Sequence, residues 1–366
     1  MPVDESYWNP YRWVTVSEEP VARREPAYHH RFSGTAGRLW CELEALTPIL
    51  VGDGKGKFVV REKDKKPFLP ATSIKGVIRS LAELVGNAAV PFGQCQVDQR
   101  HALSAASEGH GANWRLDIVA RTFGYLHQKQ AFAGLVHFSD GTLVAPSLGP
   151  GIPPAYDVVV GQPKPQHAPF YPDQNRRKFY HHRVGAEGLT TTSLAQKQTV
   201  RPLPPKTTFV FTVDFSNLQR EELALLVYCI ALEEKVTVTL SPQAIGPEAR
   251  QPASIVGPLR HKLGGCKPHG GGSVHIRITK MQLRGDPAAR YRGQSEPPVL
   301  EGQALEEEIS RLTQPFCSRA DETMQQLRAM LIYSNNDPRR DVRYPDYQWF
   351  QGQKQAQEKK PLKPTM

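Results

Sequence analysis

Alternating and helically spaced apolar positions outline most of this chain before any motif is considered. Leu39, Cys41 and Leu43 share one face of a strand expected at about 38–47. Ile74, Val77, Ile78, Leu81 and Leu84 recur at helical spacing, which predicts a helix over about 73–85. Pro70 disfavours helix before it, and Thr72 or Ser73 can cap the helix beyond it. Strands are expected near 134–145, and then at Phe209–Phe215, where Phe209, Phe211, Val213 and Phe215 alternate onto one face. Ser216 or Asn217 is placed to cap a helix over Glu221–Leu232, with Leu223, Leu226, Val227 and Ile230 as its stripe. A last strand over 273–283 contains the alternation Val274-His275-Ile276-Arg277-Ile278. Strand, helix, paired strands, helix, strand is the ferredoxin-like order of an α+β fold, one that many RNA-recognition modules use.

The pattern is interrupted in ways that divide the chain. Residues 1–37 form an N-terminal extension with Trp8, Tyr11, Trp13 and Tyr28 but no period, expected to pack on this domain or a neighbour. Residues 38–145 hold the first half of the core and a polar, helix-capable insertion at 91–120. Residues 146–206 are a dense proline and basic insertion, and 207–290 carry the second half of the core with a glycine-rich loop. Residues 291–336 read as two helices, from Glu301 to Leu312 and from Ser318 to Ile332. The tail 337–366 mixes Arg339, Arg340 and Arg343 with Tyr344, Tyr347, Trp349 and Phe350, a composition expected to stay mobile until a partner orders it.

Charge narrows the class of partner. Lys and Arg number 46 against 36 Asp and Glu, giving a net charge of +10 spread along the chain. Such a balance favours a polyanionic partner or an anionic surface. No apolar run approaches 18 residues, so no membrane span is expected, and the polar start Met1-Pro2-Val3-Asp4-Glu5 does not resemble a signal peptide. The five cysteines, Cys41, Cys95, Cys229, Cys266 and Cys317, are scattered without a Cys-x-x-Cys pair, which fits a reducing cytoplasm better than a disulfide framework.

Candidate chemistry concentrates in basic, small-residue segments. In the stretch 261–278, Gly264, Gly265 and Gly270 to Gly272 sit among Lys262 and Lys267. Glycine lets another backbone approach and opens positive φ, leaving amides and ammonium heads as the features presented to an anion such as an RNA backbone. Thr72, Ser73, Lys75 and Arg79 open the first predicted helix, where dipole, amides and charge together suit phosphate. The insertion interleaves Lys164, Arg176, Arg177, Lys178, Arg183, Lys197 and Arg201 with Phe170, Tyr171, Phe179 and Tyr180, cations for phosphates and rings for bases. Each of these segments also has a plain reading, as a turn, an amphipathic helix or a solvated loop. Cys95, His101 and His110 are weak zinc candidates, because a zinc site wants about four ligands.

Taken in order, these segments resemble the RAMP superfamily, the RNA-binding subunits of CRISPR effector complexes, from about residue 39 to about 290. Leu46 to Gly54 is similar to that family's first strand and glycine turn, and Thr72-Ser73-Ile74-Lys75-Gly76 to its Ser-Ser-Leu-Lys-Gly. Arg121 to Gly124 and Ala133 to Asp140 resemble its central block, although Leu135 stands where arginine is usual. Arg177 to His182 and Lys262 to Gly272 resemble a type III-D-like branch, from which type VII assemblies derive.

The resemblance implies a backbone subunit that polymerises along CRISPR RNA and presents it to target RNA. It also implies further copies of the chain, a capping subunit and a separate nuclease as partners, and a β-hairpin thumb in the 146–206 insertion. RNA contacts would come from Lys55, Lys57, Thr72, Ser73, Lys75, Arg79, Arg176, Arg177, Lys178, Phe179, Tyr180, His182, Lys262, Gly264, Gly265 and Lys267. Cleaving relatives carry an aspartate just before a short hydrophobic strand. Here Gly56 and Lys57 precede Phe58-Val59-Val60, so no catalytic residue and no cofactor are expected. Two alternatives stay open. Asp53, plainly a turn residue beside Gly52 and Gly54, could support Mg²⁺-dependent cleavage, and His181 and His182 could serve as an acid–base pair for guide processing.

Overall fold

The computed structural model describes residues 10–52, 56–90, 101–144, 155–158, 175–185, 188–189, 198–245, 249–285, 292–293 and 297–339, with isolated positions at 288, 349 and 351–352. Its principal elements in chain order are β1 (Tyr11–Thr15), β2 (Thr35–Ala45), α1 (Ala71–Val85), β3 (Val136–Phe138), β4 (Gly141–Leu143), β5 (Arg176–Tyr180), β6 (Thr208–Leu218), α2 (Arg220–Ala231), β7 (His261–Lys262), β8 (Ser273–Arg284), α3 (Gly302–Cys317) and α4 (Glu322–Leu331).

β2 is the central strand of the main sheet. It runs antiparallel to β6 from Thr208↔Glu44 to Leu218↔Thr35, and antiparallel to β8 from Val274↔Ala45 to Arg284↔Ala36. β3 and β4 both pair with the far side of β6, and β7 extends the sheet beyond β8. The sheet therefore reads β7–β8–β2–β6–β4, finished by the short strand Phe68–Leu69, in a mixed α+β architecture.

Period-two burial does what the sequence pattern implies. β2 buries Leu39, Cys41, Leu43 and Ala45, and β6 buries Phe209, Phe211, Val213 and Phe215 on the same face. The helices cover that face. α1 presents Ile74, Ile78 and Leu81, α2 is buried from Glu222 to Ile230, and α3 packs on the outside of α2. Each apolar side chain taken out of water there contributes about 1.5–3 kcal/mol. The opposite face is polar and ion-paired: Arg38 grips Asp214 through bonds of 2.6 and 3.0 Å, and Arg277 pairs with Glu42.

Several boundaries differ from expectation, each for a local reason. α1 starts at Ala71 with Pro70 as its N-cap, so Thr72 and Ser73 lie inside the first turn and cap nothing. The first amide, Ala71 N–H, is instead met by Asp140 Oδ1 at 2.8 Å. α2 is capped by Gln219 in a reciprocal box with Glu222, not by Ser216 or Asn217. Asn217 has a left-handed φ of 63° and a structural job. Its Oδ1 accepts from the amides of Ser33 and Gly34, and its Nδ2 donates to the carbonyls of Tyr28 and Arg31. The N-terminal extension thus packs on its own domain, β1 pairing with β5 from Tyr11↔Tyr180 to Thr15↔Arg176. The second C-terminal helix begins after Asp321, whose carboxylate accepts from Met324 N–H. Asp337 and Arg339, expected in a mobile tail, are 1% and 4% exposed and form a two-bond ion pair.

The 91–120 insertion is not one helix where it is described. It forms short 3₁₀ turns at Leu103–Ala106 and Gly111–Asn113, then a helix over Ile118–Phe123 capped by Asp117. That helix carries Arg121, whose Nε donates to Glu222 Oε1 at 2.6 Å and whose other arm donates to Leu116 O. Both partners are buried, and the second carboxylate oxygen of Glu222 holds the Gln219 amide. Glu221, half exposed at 3.7 Å from Arg121, offers only a weak second partner, so removing Glu222 leaves a buried cation poorly paired. Glu222→Ala should therefore cost about 3–5 kcal/mol by urea unfolding, with Arg121→Met added recovering much of the loss.

Candidate nucleic-acid interface

Three segments far apart in sequence meet at one cavity of 350 Å³. α1 supplies Thr72, Ser73, Gly76, Val77, Ser80 and Leu81, β5 supplies Lys178, Phe179 and Tyr180, and the chain from β7 into the glycine-rich loop supplies His261, Lys262, Leu263, Gly264 and Lys267. Leu331 of α4 closes one side. Among the described residues lining it there are three lysines and no carboxylate.

Each lysine is held at a cost. Burial lowers Lys262 to about 7, helped by the nearby Lys267 charge, and burial lowers both Lys267 and Lys178 to about 8. Lys262 Nζ donates to the carbonyls of Gly271 at 2.8 Å and Gly270 at 3.4 Å. Lys178 Nζ lies 3.5 Å from the Tyr11 ring centre, a cation–π contact. An anion entering the cavity would restore the stabilisation that burial removes from these ammonium groups.

The glycine loop works differently from its sequence reading. The backbone that approaches its glycines is the chain's own. A Cβ on Gly264 (φ 82°) would sit 2.3 Å from Leu50 O, and one on Gly272 (φ 80°) would sit 2.2 Å from Leu263 O. Gly265 N–H donates to Leu50 O and Gly272 N–H to Pro48 O, so those amides are spent inside the fold. The loop therefore aims Lys262 and Lys267 rather than offering an amide nest.

Gly76 is the contrary case. It sits exposed inside α1, facing the cavity, and a Cβ there would meet nothing within 4 Å. Glycine inside a helix costs roughly 0.5–1 kcal/mol relative to alanine, and no described contact of the fold requires it. It leaves α1 without a side chain where a ligand would press against its backbone.

Other expected site residues fall elsewhere. Lys75 and Arg79 share the neighbouring face of α1, as their spacing implies, outside the cavity lining. Burial and the Arg79 charge lower Lys75 below its usual value. Arg79 donates to Glu83 at 3.0 Å and to Gly124 O at 3.1 Å. Glu83, 1% exposed, also pairs with Arg177, so two expected RNA cations share one buried acid. The Arg176–Tyr180 cluster, expected in the projecting insertion, is β5, paired with β1 and packed beside α4. The Gly56 carbonyl accepts the Arg201 amide, and Lys57 forms a bridge with Arg201. Asp53 and Lys55 lie outside the described residues, as does Cys95.

His181 and His182 are a poor acid–base pair because both are inside the protein, 6% and 2% exposed. Burial first, then nearby cations, holds both well below the ordinary imidazole range. His182 bridges Ser273 Oγ at 2.8 Å and the Arg260 carbonyl at 3.0 Å, a structural role rather than an RNA contact. His101 is buried and bonded to Asn87 at 2.8 Å, while His110 is exposed. Among the described residues no three His, Cys, Asp or Glu side chains gather as metal ligands would.

Sequence reasoning missed Glu83, Asp140 and Leu331. Only Glu83 left a signal, its i,i+4 spacing from Arg79.

A model of the RAMP superfamily matches residues 42–230, just over half of the chain. The chain belongs to the RAMP superfamily. RAMP proteins are known for CRISPR-associated RNA binding, and the matched span of this one includes α1 and β5 but ends before the glycine-rich loop. No curated protein gives a significant match to the chain. No helix among the described residues is long and apolar enough to cross a membrane.

The depressed lysines of this RAMP protein give a signed pH dependence. An unfolded lysine titrates near 10.5, while folded Lys262 titrates near 7. Between those values the unfolded chain holds more protons, so the Lys262 contribution to stability should rise with pH, with the full penalty present below about 7. Urea midpoints of RNA-free protein at pH 7 and pH 9 should differ more for wild type than for Lys262→Met. A Lys262→Met protein with the same pH dependence as wild type would remove this account.

Proposed function

We propose that this RAMP protein is a backbone subunit of a CRISPR effector complex, with a ferredoxin-like core that holds guide RNA by its phosphates. Copies polymerise along the CRISPR RNA in the cytoplasm, beside a capping subunit and a separate nuclease, and present the guide for pairing with target RNA. Specificity then comes from base pairing, the protein reading shape and backbone. A III-D-like or type VII assembly fits the sequence motifs of β5 and the glycine loop.

The observation that carries this reading is the cavity, where Lys178, Lys262 and Lys267 converge from remote segments with no opposing carboxylate in its lining. Hydroxyls of Thr72, Ser73 and Ser80 and the rings of Phe179 and Tyr180 complete a surface suited to a phosphodiester and its neighbouring nucleoside. The ion-paired open face of the sheet, with Glu42 and Asp214 on its middle strands, is a poor platform for RNA by comparison. In the 146–206 insertion Tyr156–Val158 pairs with Gln198–Val200 while β5 between them pairs with β1, so a thumb would have to come from the segments 159–174 and 190–197, which lie outside the described residues.

Lys178→Ala and Lys267→Ala together should weaken binding to guide RNAs of unrelated sequence by similar factors. The slope of log affinity against log salt should fall by about 0.7 for each phosphate no longer held. Weakening confined to one sequence, or an unchanged slope, would remove the cavity from the phosphate path. The binding role requires no cofactor. Purified protein with guide, target and Mg²⁺ should leave the target intact. Regular cuts that vanish in Asp53→Asn would make it the ribonuclease instead.

A further inference from the structure

A pair of strands outside the main sheet has one bare edge. Val236–Leu240 pairs antiparallel with Ala253–Gly257, from Val236↔Gly257 to Leu240↔Ala253 without a register break, and among the described residues no third strand joins them. The outer side of the second strand and its continuation is covered by the chain leaving α4. Leu259 bridges Ile332, Tyr333 N–H donates to Pro258 O at 2.8 Å, and Ser334 Oγ donates to Val256 O at 2.9 Å. The outer side of Val236–Leu240 has no such cover, and among the described residues no backbone hydrogen bond reaches it.

Register shows which groups are left over. In an antiparallel ladder a residue turns its N–H and C=O to the same side, and directly opposite residues either face each other or both face outward. Val256 turns its carbonyl out to Ser334, so its partner Thr237 also turns its N–H and C=O outward, as does Thr239 two residues on. These main-chain groups lie along a groove of 530 Å³ whose opposite wall includes Gln325, Gln326 and Ala329 of α4 and Trp13 of β1. Residues 237–240 all line it, as a groove along a strand edge requires; a groove over one face would take alternate residues. We propose that this edge receives an extended segment of a partner protein, which adds as a third strand beside Thr237–Thr239.

Two observations select a polypeptide. Native sheets blunt their free edges with charged residues, proline or a bulge. Val236-Thr237-Val238-Thr239-Leu240 carries none of these, and its valines and threonines are strong strand formers. The second observation is charge. The guanidinium groups lining the groove are engaged by the fold: Arg328 Nε donates to Glu233 at 2.8 Å, Arg339 holds Asp337 by bonds of 2.9 and 2.8 Å, and Arg12 donates to Ala244 O at 2.9 Å. Two of the three cations are thus answered by carboxylates, which suits this groove poorly to a polyanion. What is left to be matched is an alternating row of donors and acceptors, the complement of another main chain.

The inference does not depend on RNA binding, and its test removes RNA. Residue-resolved amide hydrogen exchange compares full-length protein alone with the assembly isolated from its native host and treated with ribonuclease. In the protein alone, the Thr237 and Thr239 amides should exchange fast, while Val238, bonded within the strand pair, exchanges slowly. In the assembly both threonine amides should slow by about tenfold or more, with Val238 little changed. Thr239→Pro removes an outward amide without touching the existing ladder, and Thr239→Lys puts a charge on the edge at an exposed position. Either should abolish the slowing at Thr237. Slow threonine amides in the protein alone would assign the edge to a second copy or to this chain's own tail and overturn the proposal. Equal slowing at Thr237, Val238 and Thr239 would mean covering without strand pairing and would overturn it too. So would threonine amides that stay fast in the assembly, slowing that survives Thr239→Lys, or an isolate with no companion polypeptide.

Discussion

The basic side of the domain hangs on a close crossing of two backbones. The loop after β7 lies so tightly on the Pro48–Leu50 segment that a Cβ on Gly264 would sit 2.3 Å from Leu50 O, a distance it would not tolerate, and one on Gly271 would press on Pro48 O at 3.0 Å. Hydrogen bonds donated by the Gly265 amide to Leu50 O and by the Gly272 amide to Pro48 O lock the crossing in place. β7 and β8 then flank a loop with fixed direction, and Lys262 and Lys267 are aimed by main chain rather than by side-chain choice. A single added methyl group at Gly264 would push against peptide, not against a side chain that can rotate away.

The second wall of the cavity depends on a buried acid. Glu83 on α1 takes Arg79 from its own helix and Arg177 from β5, fastening strand to helix. Neighbouring cations of β5 divide the labour: Arg177 goes to the carboxylate, while Lys178 goes to the Tyr11 ring and the cavity. Adjacent cations of the same segment thus do opposite things, one clamped by an acid to build the site and one laid over a ring to serve it.

Much of this was legible in the sequence. The alternation of Phe209 to Phe215 and the helical spacing of Ile74 to Leu84 fixed which faces go inward, because burial of apolar surface is what those periods record. That α1, β5 and the glycine loop carry cations could be read from the sequence; that the three meet at one cavity could not. What stayed illegible was partnership. Composition shows a cation, but it cannot show that Glu83 claims Arg177, that His182 is spent on Ser273 and Arg260, or that the loop glycines serve Pro48 and Leu50. The cap of α1 was missed for the same reason, since Asp140 lies far along the chain from Ala71.

The wide spacing of the cavity's parts has a consequence for how the protein is made. Its lining runs from Thr72 to Leu331, and β1 has no partner strand until β5 has been synthesised. At about 5–20 residues per second, the ribosome needs on the order of tens of seconds to pass from the first wall to the last. During that interval α1 waits first for β5, then for the loop, and last for the α4 helix that completes the pocket. An incomplete chain therefore carries the basic residues but not the shape, and the cavity becomes a property of the finished polypeptide rather than of the nascent one.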